Sequence, residues 1–190
     1  MNVLSIDIDY AYSPTISIYD DYVEGSRVTL EEQKSILAEL GMPAPQVNPV
    51  KLEVLKQVVK EKTTRKTPII IAERHDQIMD FLPKSKPFSI VNFDHHHDVY
   101  YPGWHSLDVL DEGNWVYFCG EQNMISYTWV RNEDSEDLPE NLGLQFKLEE
   151  VLKPNIHDFP VFDLVFACVS SHWTGDSGRK HLFEVLGVKR

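Results

Sequence analysis

Residues 92–101 read "NFDHHHDVYY" and place Asp94 and Asp98 around His95, His96 and His97, directly after the apolar run "FSIV". If the backbone stays extended, Asp94, His96 and Asp98 share one side and His95 and His97 face elsewhere. Two carboxylates and an imidazole then converge at one strand end. The N-terminal "LSIDIDY" closes a second apolar run with Asp7 and Asp9, which strand alternation turns to one side. A third end follows "TPIIIA" and reads "ERH", bringing Glu73, Arg74 and His75. Each alone has an ordinary structural reading, since an Asp-x-Asp pair caps helices or faces solvent and a lone histidine at a turn is satisfied locally. Together, Asp7, Asp9, Asp94 and Asp98 would be four carboxylates on adjacent strand ends, costing on the order of several kcal/mol in repulsion and desolvation. A positive centre must neutralise them. Carboxylate oxygens with a few imidazoles suit Mn(II), or alternatively Fe(II), Co(II) or Zn(II), and the ligands suffice for two ions sharing carboxylates.

Such strand ends need a sheet to hold them side by side. Short β-branched and apolar runs recur at "MNVLSID", "TPIIIA", "PFSIVNF", "NWVYFCG", "LGLQFK" and "FDLVFACVS", and each reads as a buried strand. Helical signals lie between them. Thr29 with Glu32 makes a capping box ahead of "LEEQKSILAEL", and Gly41 is placed to end that helix. In "VKLEVLKQVVKEK", Leu52, Leu55, Val58 and Val59 recur at three- and four-residue spacing, the apolar stripe of a helix packed on a sheet. "ERHDQIMDFL" and "GRKHLFEVLG" read as further helices. The alternation predicts one α/β domain over residues 1–190, three-layered, with a mainly parallel sheet flanked by helices. In open α/β sheets ligands bind beyond the carboxyl ends of the strands, where all three ionisable clusters fall.

The composition, 42% hydrophobic and 25% charged, is that of a globular chain. A formal net charge of -12 would repel a phosphate backbone, so nucleic acid is not an expected partner. Acids lie within the first ten residues and no apolar run approaches the roughly 20 residues of a membrane span, so neither a signal peptide nor a membrane partner is expected. Cys119 and Cys168 sit in apolar runs and read as buried free thiols, which fits a cytoplasmic location. The acidic stretch "RNEDSEDLPEN" lacks apolar periodicity and reads as a solvated loop.

The three strand ends bring a family into view. The chain resembles the arginase-like ureohydrolases, whose metal signature includes an Asp-x-His-x-Asp strand end, matched here by Asp94, His96 and Asp98. His75 resembles the family's histidine ligand from an earlier strand end, and "SIDID" its Ser-x-Asp-x-Asp element. The resemblance implies that Asp94 and Asp7 bridge two ions, that His75 and Asp98 complete one site, and that His96 and Asp9 complete the other. In arginases the Ser-x-Asp-x-Asp element follows Asp-x-His-x-Asp and runs into Asp-Pro, whereas here it opens the chain and runs into "YAYSP", so a permuted strand order is implied. The chain is also much shorter than an arginase. The nearest likeness is therefore the small peptide arginases, which turn arginine side chains of ribosomally made precursor peptides into ornithine.

Two divalent ions lower the pKa of a water between them, so the implied chemistry is hydrolysis of a guanidinium to urea and an ornithine side chain. Asp98 would move a proton toward the departing amine. His105, in "YPGWHSLD", is the candidate proton shuttle, with an unperturbed pKa near neutrality. To hold the guanidinium, Glu73 is favoured over Glu121 and Asp176. Trp104, Trp115, Tyr100 and Tyr101 are candidates to wall the pocket, and Ser170, Ser171 and His172 to border it.

Two rival readings stand beside this one. A phosphoesterase of the Asp-His-His type also uses an N-terminal Asp-x-Asp and a later "DHH" to hold two Mn(II) ions, but the chain has no His-x-x-x-Asp lead-in before Asp7, and that reading leaves His75 and Asp98 without roles. A metal- or peptide-binding module without turnover would differ in having its coordination closed by protein ligands.

Overall fold

A computed structural model describes residues 1–13, 35, 38–39, 41, 46–101, 107–139, 143–174 and 176–188. The expected helix "LEEQKSILAEL" and its capping box lie largely or wholly outside these residues; Gly41, at its expected end, has a φ of +68.

Six runs form one all-parallel sheet: β1 (Asn2–Asp7), β4 (Ile69–Ala72), β5 (Phe88–Phe93), β6 (Met124–Val130), β7 (Lys147–Val151) and β8 (Leu164–Cys168). Their spatial order is β4-β8-β1-β5-β6-β7. Two short strands, β2 (Tyr12–Ser13) and β3 (Gln46–Val47), pair antiparallel outside it. Helices fully bounded among the described residues are α1 (Pro49–Lys62), α2 (Trp115–Glu121), α3 (Ser171–Thr174) and α4 (Asp176–Leu186). A parallel sheet must be covered on both faces, and period-two alternation divides its side chains between two cores. Leu4, Ile6, Val91, Phe93, Val165 and Ala167 pack with Leu52, Leu55, Val58 and Val59 of α1 and Leu182, Val185 and Leu186 of α4. Val3, Ile90, Leu164 and Phe166 face the other way, onto Trp115, Val116 and Cys119 of α2 and onto Ile78 and Met79. The fold is a three-layer α/β domain. Among the described residues, no helix is long and apolar enough to cross a membrane. Cys119 and Cys168 are buried free thiols.

Local chemistry explains most boundaries. Asn48 caps α1 by accepting hydrogen bonds from the amides of Val50 (3.0 Å) and Lys51 (3.3 Å), with Pro49 in the first turn, where its missing N–H costs nothing. Three expectations need correction. "NWVYFCG" is helix α2, because Trp115, Val116 and Cys119 bury one helical face while the expected β-branched signal belongs to "MISYTWV", which is β6. "LGLQFK" precedes its strand: β7 is "KLEEV", an edge strand with Lys147, Glu149 and Glu150 exposed. "ERHDQIMDFL" forms only a 3₁₀ turn, His75–Asp80. Residues 131–139 of the acidic stretch contain no helix or strand.

The register aligns the strand ends. Ile6 pairs Phe93, the last pair of β1 with β5, so Asp7 and Asp94 stand next in line. Asp7 pairs Cys168 of β8, which also pairs Ala72 of β4. Beyond β8 the chain turns at Ser170, whose φ of +44 is left-handed, and enters α3 at once.

The first turn of α4 has no spare room at Gly178. A Cβ on Gly178 would lie 2.7 Å from the Cβ of buried Thr174 and 3.1 Å from the Val169 carbonyl oxygen. Thr174 cannot swing away without losing the bonds its hydroxyl donates to Val169 O and Ser170 O, both 3.1 Å. Gly178→Ala should therefore cost about 1–3 kcal/mol in urea unfolding. An unchanged midpoint would contradict this packing.

Candidate metal centre

The six candidate ligands meet above the carboxyl ends of β1, β5 and β8, and beyond the strand ends Asp9 and Asp98 are not held in the way strand alternation suggests. Asp7 ends β1 and caps a 3₁₀ turn, Ile8–Ala11, its Oδ1 accepting from the amide of Asp9 at 3.1 Å. Asp9 thus reaches the cluster from a helical turn. After β5 the chain likewise leaves the extended state: Asp94 Oδ1 accepts from the amide of His96 at 2.8 Å, and Asp98 has a φ of +53. A left-handed non-glycine residue is strained by about 1 kcal/mol or more and persists only where its surroundings enforce it. Here Trp115 Nε1 donates to Asp98 Oδ2 at 2.7 Å and the amide of Val116 donates to Asp98 O at 3.1 Å. His75 leans across β8, its ring stacked over Phe166 at 5.9 Å.

His75 Nδ1 lies 3.0 Å from Asp94 Oδ2, 3.1 Å from Asp98 Oδ2 and 3.5 Å from Asp7 Oδ2. His96 Nδ1 lies 3.0 Å from Asp9 Oδ2 and 3.8 Å from Asp94 Oδ1. Despite these short separations, neither His75 Nδ1 nor Asp9 Oδ2 has a partner in hydrogen-bonding direction, although both are buried. An orphaned buried polar atom is costly. The spacing matches a different use: ligand atoms about 2.1 Å from a six-coordinate cation stand about 3.0 Å from one another. Among the described residues two groups have the required convergence, Asp7, His75 and Asp94 in one and Asp9, Asp94 and His96 in the other. Carboxylate oxygens and imidazole nitrogens are a donor set for divalent cations, so these residues could hold metal ions. His96 is the most open of the six, with 15% of its side chain exposed, and Trp173 stands beside it at 5.0 Å.

A ring of further side chains fixes the ligands, and sequence reasoning passed over most of it. Ser5 Oγ lies 2.6 Å from His75 Nε2 and orients the ring; with the hydroxyl accepting from Nε2, the Nδ1 lone pair would face the carboxylates when a cation is bound. Asn92 Nδ2 donates to Asp94 Oδ2 at 3.1 Å and to the Tyr127 hydroxyl at 2.9 Å, while Trp129 Nε1 donates to Asp94 O at 3.0 Å. Ser170 donates to Asp7 Oδ2 in a very short bond. The available signal was parity: Ser5 and Asn92 lie two residues before Asp7 and Asp94, polar positions inside otherwise apolar runs.

Burial, reinforced by Asp9 and Asp94, drives the Asp7 carboxyl well above its ordinary range, and burial with Asp98 and Asp9 pushes Asp94 up to about 8. Burial also opposes ionisation of Asp9 and Asp98, but His96 outweighs it for Asp9 and His75 for Asp98, so both fall below the usual carboxylate value. Burial would lower His75, yet its contacts with Asp94 and Asp98 raise it well above a normal imidazole. Without a cation the cluster therefore retains protons at neutral pH that bound metal must displace.

The other expected residues fall as follows. His95 is buried, its amide donating to Asp9 Oδ1 at 3.3 Å, with Nδ1 3.2 Å from Asn132 Nδ2. His97 stacks on Tyr101 at 4.1 Å, and burial lowers its pKa to about 4. Trp115 is core rather than pocket wall, because its indole is wholly buried between Asp98 and His75. Glu73 stands outside both metal-ligand groups, paired with Arg179 and accepting from Ser171 Oγ at 2.8 Å. Glu121 is exposed at the end of α2. Tyr100 is half-buried, while His105 and Trp104 and the side chains of His172 and Asp176 lie outside the described residues. Comparison of the chain with protein-family models, with curated proteins and with solved structures finds no match.

Raised pKa values on Asp7, Asp94 and His75 mean that the metal-free folded chain binds more protons than the unfolded chain between about pH 4 and 8. Metal-free stability should then fall as pH rises through that window, while the stabilisation by added Mn(II) grows toward pH 8. Thermal unfolding with Mn(II) and with chelator from pH 5 to 9 checks this, and a metal effect independent of pH would contradict it. Ser5→Ala should weaken Mn(II) binding about 10- to 100-fold in calorimetric titration.

Proposed function

We propose that the chain is a dinuclear metal-dependent hydrolase acting on the guanidinium of arginine side chains within a precursor peptide. The observation that carries this reading is a pair of buried ligand atoms, His75 Nδ1 and Asp9 Oδ2, whose close neighbours lie off hydrogen-bonding direction, one in each of two ligand groups that share Asp94. Both groups suit Mn(II), with Fe(II), Co(II) or Zn(II) as alternatives. Bound ions would supply an ionised water at neutral pH and a positive centre beside the carbon under attack.

The chain's own groups supply the remainder. Asp94 serves both ligand groups, and the Asn92 amide and Trp129 indole hold it in place. Ser5 holds the His75 ring at Nε2, and Trp115 holds Asp98. Asp98 accepts the proton of the attacking water and passes it to the leaving nitrogen. The water oxygen bonds to the guanidinium carbon, the bond from that carbon to the side-chain nitrogen breaks, and both protons of the water end on that nitrogen, so neutral urea leaves an ornithine ammonium behind. Access from the His96 side suits a substrate presented on a flexible chain, and Trp173 stands there to meet a planar cation. A net charge of -12 favours the approach of a cationic group. Glu73, whose side chain is half exposed two residues before His75, is the acid that receives the guanidinium.

Mass spectrometry of arginine-containing peptides and of free arginine, incubated with Mn(II)-loaded protein and with a chelated control, tests the reaction. The expected product is peptide lighter by CH2N2 per arginine, with Asp94→Asn reducing turnover on the order of 10³-fold or more. Conversion of free arginine alone would mark a metabolic ureohydrolase. Phosphodiester hydrolysis without arginine conversion would instead mark the Asp-His-His type.

A further inference from the structure

The junction of β8 with α3 gives two successive hydroxyls to two different carboxylates. Ser170 donates to Asp7, in the metal-ligand cluster, and Ser171 donates to Glu73 Oε2 at 2.8 Å. Successive Cα atoms are about 3.8 Å apart, so this dipeptide ties Glu73 to the rim of the cluster. The Cys168 thiol at the end of β8 donates to Glu73 O at 3.3 Å and ties the segment after β4 to β8. The other carboxylate oxygen of Glu73 is in contact with the guanidinium of Arg179.

Helix propensity does not explain Arg179. It lies in the first turn of α4 (Asp176–Leu186), where the positive end of the helix dipole opposes a cation. Glu73 provides the compensating contact, and the two side chains are about half exposed, 51% for Glu73 and 53% for Arg179. Exposed ion pairs of this kind are weak and exchange readily. Arg179 also presents the functional group that the proposed reaction consumes.

We propose that Arg179 is an internal occupant of a guanidinium subsite formed by Glu73 and Ser171, displaced when a substrate arginine enters. This rests on the arginine-directed reading above. The subsite would select a planar cation by pairing it with Glu73, and Arg179 would lower apparent affinity by the fraction of molecules in which it holds the place.

The test is binding of an arginine-containing peptide to the full chain in chelator, where no turnover can occur, alongside urea release with Mn(II). Arg179→Ala should tighten peptide binding, and lower the apparent KM, about two- to fivefold, the range set by an exposed ion pair. Arg179→Lys keeps the cation and should stay near the parent value, and Glu73→Gln in the Arg179→Ala background should abolish the gain. Equal binding by the parent chain and Arg179→Ala, with both folded by thermal unfolding, would overturn the proposal. Absence of urea in every variant, with the binding pattern intact, would overturn the hydrolase reading and leave the occupied subsite standing.

Discussion

Four carboxylates are buried together at the ends of parallel strands, and much of the local architecture answers the cost of keeping them there. Asp7, Asp9, Asp94 and Asp98 are each no more than 5% exposed. Two imidazoles reach into the group, and their charge can balance only part of it. The distribution of pKa values expresses this imbalance: Asp9 and Asp98 stay ionised against His96 and His75, while Asp7 and Asp94 are forced toward their neutral forms. Carboxylates pushed toward their neutral forms in this way could give up those protons to a metal cation.

The sheet makes the cluster possible. Because β1 lies between β8 and β5, one strand end has two parallel neighbours in register, and no hairpin could align three ends in this way. Each end then breaks its regular structure to aim its side chains: Asp9 in a 3₁₀ turn, Asp98 and Ser170 in left-handed conformations. Such strain is tolerated where surrounding contacts over-determine it, and Trp115, Val116 and Asp7 provide those contacts.

The fold class was legible from the alternation of apolar runs and amphipathic helices, and the candidate ligands from acids and histidines placed where strands end. Where the reading missed, local pattern and tertiary context disagreed. "NWVYFCG" has strand-forming residues but buries a helical face against β6, and the true strand "MISYTWV" carries polar positions at Ser126 and Thr128 that weakened its signal. Asp7 and Asp9 were expected together through strand alternation, yet they meet because Asp7 caps the turn that carries Asp9. Ser5 and Asn92 were hidden because a polar residue within a short apolar run looks like noise until its partner, 70 residues away for Ser5 and His75, is in place. Glu73 was read as the acid that holds a guanidinium, and the structure gives it one from Arg179, a residue distant in the chain.

The central claim is that this cluster is a paired cation site with room left for water. The most direct measurement is anomalous diffraction at the manganese edge from crystals of the chain grown with Mn(II). The account predicts two peaks about 3.5–4 Å apart, one on either side of Asp94, with at least one position facing His96 filled by solvent rather than protein. No peak at the cluster, or a single ion closed on all sides by protein ligands, would contradict it.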